Sequence, residues 1–199
     1  MLAVADPGSE RGLICATMLG LVGRRGCAEL ALADLERAAG ITAHEFHAHF
    51  ASLEDCFEAI WTEIDAELRR RMHAAYQAEE EWRAGLRGAL AAAVELFVAD
   101  PPAARLYLVE ASAVQPLRRT RSLEALAEML DRAPRRDDLP FADPRLLAEA
   151  LAGGVWSTAA GLVRDGGVVA LEAALGELTY LCVLPFCGRE AAEEELRRS

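Results

Sequence analysis

Three histidines fall within one short stretch, at positions 44, 47 and 49. Imidazole donates and accepts hydrogen bonds, turns cationic just below neutrality and ligates metals. Three uses therefore compete for the cluster: neutral hydrogen-bonding or stacking groups, which come first, a titrating positive charge, and a metal site. Metal comes last, because no cysteine or further carboxylate has an obvious matching position. The five cysteines, Cys15, Cys27, Cys56, Cys182 and Cys187, are odd in number and include no C-x-x-C pair. They fit neither a disulfide framework nor a zinc site, and read as small apolar residues of a reducing compartment. No Ser/His/acid or Cys/His constellation, Gly-rich phosphate loop or metal-ligand set is present, so neither catalysis nor a cofactor is expected. Glu110 is an acid inside the apolar run Leu106 to Val114. It is either a solvent-facing helix residue or a buried carboxylate that needs a partner and orients a cationic or hydroxylated ligand.

The chain that positions these groups has 199 residues, of which 53% are hydrophobic and 27% charged. That composition suits a packed globular protein, and no stretch shows strand-type alternation, so an all-α fold is expected. Every basic residue is arginine; lysine and asparagine are absent. Both missing residues use AT-rich codons, which points to a GC-rich genome. The net charge of −11 argues against non-specific attraction to nucleic acid. Asp6 and Glu10 stand where a signal peptide would be basic, so a cytoplasmic protein is expected. The apolar stretch Leu146 to Val163 carries Glu149 and is diluted by Ala, Gly, Ser and Thr, which suits a buried helix better than a membrane span.

About nine helices follow from caps and periodicity. The first starts at Ser9 and stops at Gly26, with Ile14, Met18, Leu21 and Val22 on one face. The second covers Leu32 to Ala39 and closes at Gly40. Thr42 and Glu45 form a T-x-x-E capping box for a third, from Ala43 to about Phe50. The fourth follows Ser52, with Asp55 at N3 and a stripe of Phe57, Trp61, Ile64, Leu68 and Met72. A fifth carries Leu86, Leu90, Val94 and Phe97. Asp100-Pro101 opens the sixth and Asp143-Pro144 the eighth, as caps followed by a proline at N1. Leu123, Leu126 and Leu130 mark the seventh, and Pro134 to Asp143 reads as a loop. The eighth is expected to end at Gly166-Gly167 and the ninth to span Val169 to Leu184, near Pro185. The acidic tail from Arg189 to Ser199 reads as a frayed helix end.

Helix two, the bend at Gly40 and helix three have helix-turn-helix spacing, in which the second helix offers its first residues to a DNA major groove. That places Thr42, Ala43, His44, His47, His49 and, at the next helix start, Ser52 on the DNA side. Glu45 could accept from a cytosine amino group, although its capping role already explains it.

The segment Arg11 to Trp61 resembles the N-terminal domain of the tetracycline-repressor (TetR) family. The matching residues are Gly26, Asp34-Leu35, Ala39-Gly40-Ile41-Thr42, Phe46-His47-Ala48-His49-Phe50 and Ser52-Leu53-Glu54, in register without gaps. Arg105 to Glu110 and Glu177 to Gly188, containing Leu178-Thr179-Tyr180-Leu181 and Pro185-Phe186, resemble actinobacterial members of that family. His47 and Leu53 stand where the family often has Tyr and Lys as phosphate contacts, and Leu30 where it has Thr. Positions 1–60 hold nine acids against four arginines, a net −5. Backbone amides at the starts of helices two, three and four can still hold phosphates.

The resemblance implies a helix-turn-helix domain over 1–54 and a ligand-binding, dimerising body over 55–199. It implies a pseudo-palindromic double-stranded DNA operator as partner and a small-molecule effector bound among the middle helices. Large side chains available there are Trp61, Met72, Tyr76, Trp82, Phe97, Tyr107, Met129 and Trp156. Trp61, Met72, Phe97, Tyr107 and Trp156, with Glu110, are the candidate pocket; for each aromatic singly, core packing is the commoner fate. The eighth helix carries only Glu149 between Leu146 and Val163, and the ninth only Glu172 and Glu177. Helices without a charged face are buried on more than one side, which suggests a homodimer through a four-helix bundle with Gly153, Gly154 and Gly161 allowing close approach. The leading expectation is a repressor released from DNA when ligand tilts the fourth helix. The alternative is a dimeric ligand- or protein-binding module of the same fold with weakened DNA binding. If the histidines supply charge to the DNA surface, DNA affinity falls from pH 6 to pH 8 by more than the general salt effect. Binding titrations at matched ionic strength test this, and a flat profile removes the charge reading.

Overall fold

The computed structural model describes residues 8–110, 116–134 and 143–198, with side chains in the second stretch from residue 123 onward. Residues 135–142 of the expected loop, and the apolar run beyond Glu110, lie outside the described residues. Among the described residues there are ten α-helices, one π-helical turn and no strand.

The N-terminal helices form where their caps direct. Helix α1 (Glu10–Arg25) begins at Ser9, whose hydroxyl accepts from the Gly12 amide, and ends at Gly26 with φ +79°. Its buried face includes Ile14, Met18, Leu21 and Val22. Helix α2 (Leu32–Ala39) lacks a side-chain cap at Ala31; the Asp34 carboxylate instead accepts from the Ala31 amide. Helix α3 (Ala43–His49) has the complete Thr42–Glu45 box. Helix α4 (Leu53–Gln77) is capped by Ser52, which accepts from the Asp55 amide, and its Phe57–Met72 stripe is buried.

The body begins with α5 (Trp82–Ala99), antiparallel to the end of α4, and the short α6 (Pro101–Ala104), capped by Asp100. A π-helical turn over Arg105–Glu110 follows, where a continuous helix was expected. Widening the helix by one residue per turn re-aims its side chains, and here Leu106, Tyr107 and Leu108 all become buried. Helix α7 (Pro116–Asp131) packs on α8 (Pro144–Ala173). By length and hydropathy α8 could cross a membrane, but much of its apolar face is buried in the fold.

The expected stop at Gly166-Gly167 is present: Gly167 is non-helical at φ +71°, and a short further helical stretch, with Leu171 buried, carries on to Ala173 within the span given for α8. Two expectations beyond it are corrected. The ninth helix, α9 (Leu175–Cys187), starts later than Val169, after the break at Ala174, and runs through Pro185. Proline removes one helical hydrogen bond, but Phe186 is buried against the Trp82 ring at 5.6 Å and holds the last turn. The acidic tail is a docked helix, α10 (Arg189–Arg197), rather than a frayed end. Its Glu195 is fully buried and receives Arg87 Nη1 at 3.0 Å, while Arg83 reaches Glu194 at 3.0 Å.

Loss of Arg87 leaves the buried Glu195 carboxylate with only a longer, 3.6 Å contact to the half-exposed Arg198, and breaking a buried pair costs about 3–5 kcal/mol. Arg87→Ala is expected to lower the melting temperature by roughly 6–20 °C. Arg189→Ala, which removes an exposed pair with Glu193, should leave it in place. Thermal denaturation of both variants checks the difference.

Candidate nucleic-acid interface and effector site

The α2–bend–α3 unit is open to solvent. Gly40 takes the left-handed conformation at φ 71°, ψ 30°, and donates its amide to the Glu36 carbonyl. Nothing lies within 4 Å of where its side chain would begin, so the backbone alone demands glycine there. Only Phe46 of α3 is buried, pinning the helix to the core beside Phe50. Thr42, His44, His47 and His49 are exposed on the outer surface, with Ala43 and Ser52 half-buried.

Thr42, Glu45, His47 and His49 each have a local partner at this surface. The Thr42 amide and hydroxyl donate to Glu45 Oε2 at 2.7 and 2.9 Å, which holds the Glu45 carboxyl below the usual glutamate range. A lowered acid loses its contribution only as pH falls through the folded value, so the box is intact at neutral pH. His47 Nδ1 lies 3.2 Å from the Phe50 carbonyl. Since a carbonyl only accepts, Nδ1 is the donor in this contact. His49 Nε2 lies 3.0 Å from Glu10 Oε2 on α1, so this ring is tied back to the first helix. Among the described residues no group of three His, Cys, Asp or Glu side chains comes together in a metal-binding arrangement.

Few cations are free nearby. Arg11 donates to Glu63 on α4 at 3.0 Å and lies over the Phe50 ring. Arg25 and Arg37 both approach Asp34, at 3.7 and 3.1 Å. Those two remain largely exposed, and pairs of that kind are weak and exchangeable.

In the body, four of the candidate pocket residues meet. The Tyr107 ring stacks on Trp61 at 5.2 Å and contacts Phe97 at 5.7 Å and Trp156 at 5.1 Å. Its hydroxyl donates to Asp65 Oδ1 at 2.7 Å, and Arg69 pairs with Asp65 Oδ2 at 2.7 Å. Asp65 was missed from the sequence because its position on α4 reads as one of several helix-surface acids. The Trp156 indole N–H is buried and has no acceptor among the described residues. Met72 is buried about three turns further along α4. Glu110 is elsewhere: its Oε2 accepts from the Cys27 amide at 3.0 Å and its Oε1 from Arg105 Nε at 3.2 Å. The acid thus grips the turn between α1 and α2. Burial and the nearby Glu110 push the half-buried Cys27 thiol up to about 12.

An exposed glycine-bend helix pair, a long α4 and a helical body match a set of solved structures. A TetR-family regulator from Pectobacterium atrosepticum superposes with a TM-score of 0.65 at 23% identity, covering 89% of this chain and 94% of its own. The fatty acid degradation regulator FadR from Bacillus halodurans gives 0.73 at 16%, covering 93% and 100%. The chain has the TetR fold. The ketosteroid transcriptional regulator of Mycobacterium tuberculosis also shares it, with a TM-score of 0.65 at 19% identity, covering 92% and 97%. No family model matches the chain, and no curated protein sequence matches it.

In the TetR fold the Gly40 bend aims α3, which gives a local test. An L-residue in the left-handed region costs about 1–2 kcal/mol, with asparagine the best tolerated. Gly40→Val is expected to destabilise by at least that amount in urea unfolding, and Gly40→Asn by clearly less. Equal losses would show that space, not backbone conformation, selects glycine there.

Proposed function

We propose that this protein is a dimeric, ligand-responsive DNA-binding transcriptional regulator, a repressor released from a pseudo-palindromic operator by a small molecule. The observation that carries this reading is α3 itself. It is fixed to the core by Phe46 and exposes Thr42, His44 and His47 on its outer surface. A helix presented this way fits the major groove, with phosphates held by the amides at the starts of α2, α3 and α4. Residues 1–54 are the DNA-binding unit in this reading and 55–199 the body.

Dimerisation through α8 and α9 is part of the proposal, with a second copy as the occupant of their outer face. Ala150, Gly154, Ser157 and Thr158 are exposed and uncharged on α8, and Leu181 is exposed on α9. Open space surrounds Gly153, Gly154 and Gly161, room that a partner helix can fill. Two half-sites then compensate for one weak head. The effector pocket is proposed around Tyr107, where the Trp156 indole N–H, without an acceptor among the described residues, offers a donor to a ligand acceptor. Binding there moves α4, because Asp65 and Glu63 lie two positions apart on it. Asp65 holds Tyr107 of the body, and Glu63 holds Arg11 of the head. The resemblance to actinobacterial members is retained as part of this reading.

The alternative module with weakened DNA binding is favoured by the net −5 of positions 1–60, together with His47 and Leu53 at positions where the family often has phosphate-contacting Tyr and Lys. Selection of random duplex DNA by the purified protein at low and at physiological salt decides between the two. A recovered pseudo-palindrome is the expected result. Absence of enrichment at either salt overturns the regulator reading in favour of the alternative.

A further inference from the structure

A crevice of about 380 Å³ opens where α1, the start of α6 and the bend of α8 meet. Its walls are apolar or small: Gly23 faces Pro102, and Val163 and Val168 stand on either side of the α8 bend. Gly23 is needed there, since a Cβ would come within 3.1 Å of Pro102 Cβ. Two guanidiniums, Arg24 and Arg105, line the crevice, and among the described residues no carboxylate does. In a chain of net charge −11 such a place stands out. Arg24 makes no ion pair or hydrogen bond among the described residues. Arg105 is paired through Nε with Glu110, and the rest of its fork remains for a second acceptor.

We propose that this crevice binds an anionic amphiphile, an alkyl chain carrying a carboxylate, at a site separate from the aromatic cluster around Tyr107. A guanidinium fork matches a carboxylate in shape and charge. Each methylene taken from water into the apolar walls adds about fourfold in affinity. A volume of this order suits a small ligand rather than a peptide.

The site also has a mechanical consequence, and this part rests on the reading of the protein as a DNA-binding regulator. Arg105 is shared between the crevice and Glu110, and Glu110 holds the Cys27 amide in the turn that leads into α2. Gly26 in that turn is buried at φ +79°, and a Cβ there would come within 3.0 Å of Glu110 Oε1. A ligand carboxylate that draws Arg105 into the crevice competes with Glu110 and loosens its hold on the head. The effect on DNA follows from differential binding to the two head positions.

Isothermal titration of the full chain with decanoate, below its micelle concentration, tests the site. Acetate serves as the head-only control and decyltrimethylammonium as the opposite charge. Saturable binding of decanoate, at least 100-fold tighter than of acetate and absent for the cation, is expected. Arg24→Ala, which removes a side chain with no ion pair or hydrogen bond among the described residues, should weaken decanoate tenfold or more. Val168→Trp should block it, and Arg145→Ala, the same charge change at the far end of α8, should leave it unaltered. Circular dichroism melting confirms that each variant folds; if Val168→Trp does not, Arg24→Ala decides alone. No binding of decanoate overturns the proposal. So does binding that survives Arg24→Ala, or that is lost only in Trp156→Phe, which would place the ligand in the body. Failure to bind any DNA sinks the regulator reading and the mechanical step but leaves the titration result standing.

Discussion

A charged side chain in a helical core has to bring its partners with it, and in this fold that requirement is met at Asp65. The carboxylate is buried, yet it accepts the Tyr107 hydroxyl and pairs with Arg69, both at 2.7 Å. Hydrogen bonds to a charged group in a low-dielectric setting are strong, and leaving one unmade is costly. Tyr107 is therefore held in one place, and Trp61, Phe97 and Trp156 pack around its ring. The π-helical turn follows from the same demand, because it swings Tyr107 beneath α4 and leaves Glu110 on the side of the first turn. The Asp65–Tyr107 bond thus adds one fixed polar point to an alignment of α4 that its buried apolar stripe also holds.

The head is joined to this body at two levels. On one side Arg11 of α1 reaches Glu63 of α4. On the other, Glu110 holds the amide of Cys27 just after α1 ends. Both joints use a carboxylate, one paired through a side chain and one through a backbone N–H. A joint made of a few polar contacts can be shifted by a ligand in a way that a wide apolar interface cannot. The apolar core is nonetheless continuous from Ile14 to Ala192, so head and body move against each other only within the play those contacts allow.

The acidic character of the head also has a structural side. Glu45, Asp34 and Asp55 all spend their charge on helix starts: Glu45 on Thr42, Asp34 on Ala31 and Asp55 on Ala51. Negative charge at a helix N-terminus is stabilising. Three of the nine acids that lower the net charge of this domain thus shape the starts of α2, α3 and α4.

Sequence alone determined α1 to α4 and the turn at Gly40 nearly residue by residue. Their signals are local: a hydroxyl and an amide three positions apart, a glycine where φ turns positive, an apolar stripe every three or four residues. It also determined that α3 would be open, since Phe46 is its one large apolar residue between the caps. Tertiary structure alone decided where Glu110 points, because its partner at Cys27 is 83 positions away. It decided that the acidic tail docks, through arginines 108 and 111 positions distant. It decided that the short helical stretch after the Gly167 break docks, since Leu171 finds a place in the core only once the body has assembled. A helical period reports which face is apolar, but not which distant atom will meet a lone charge; that is settled when the helices pack.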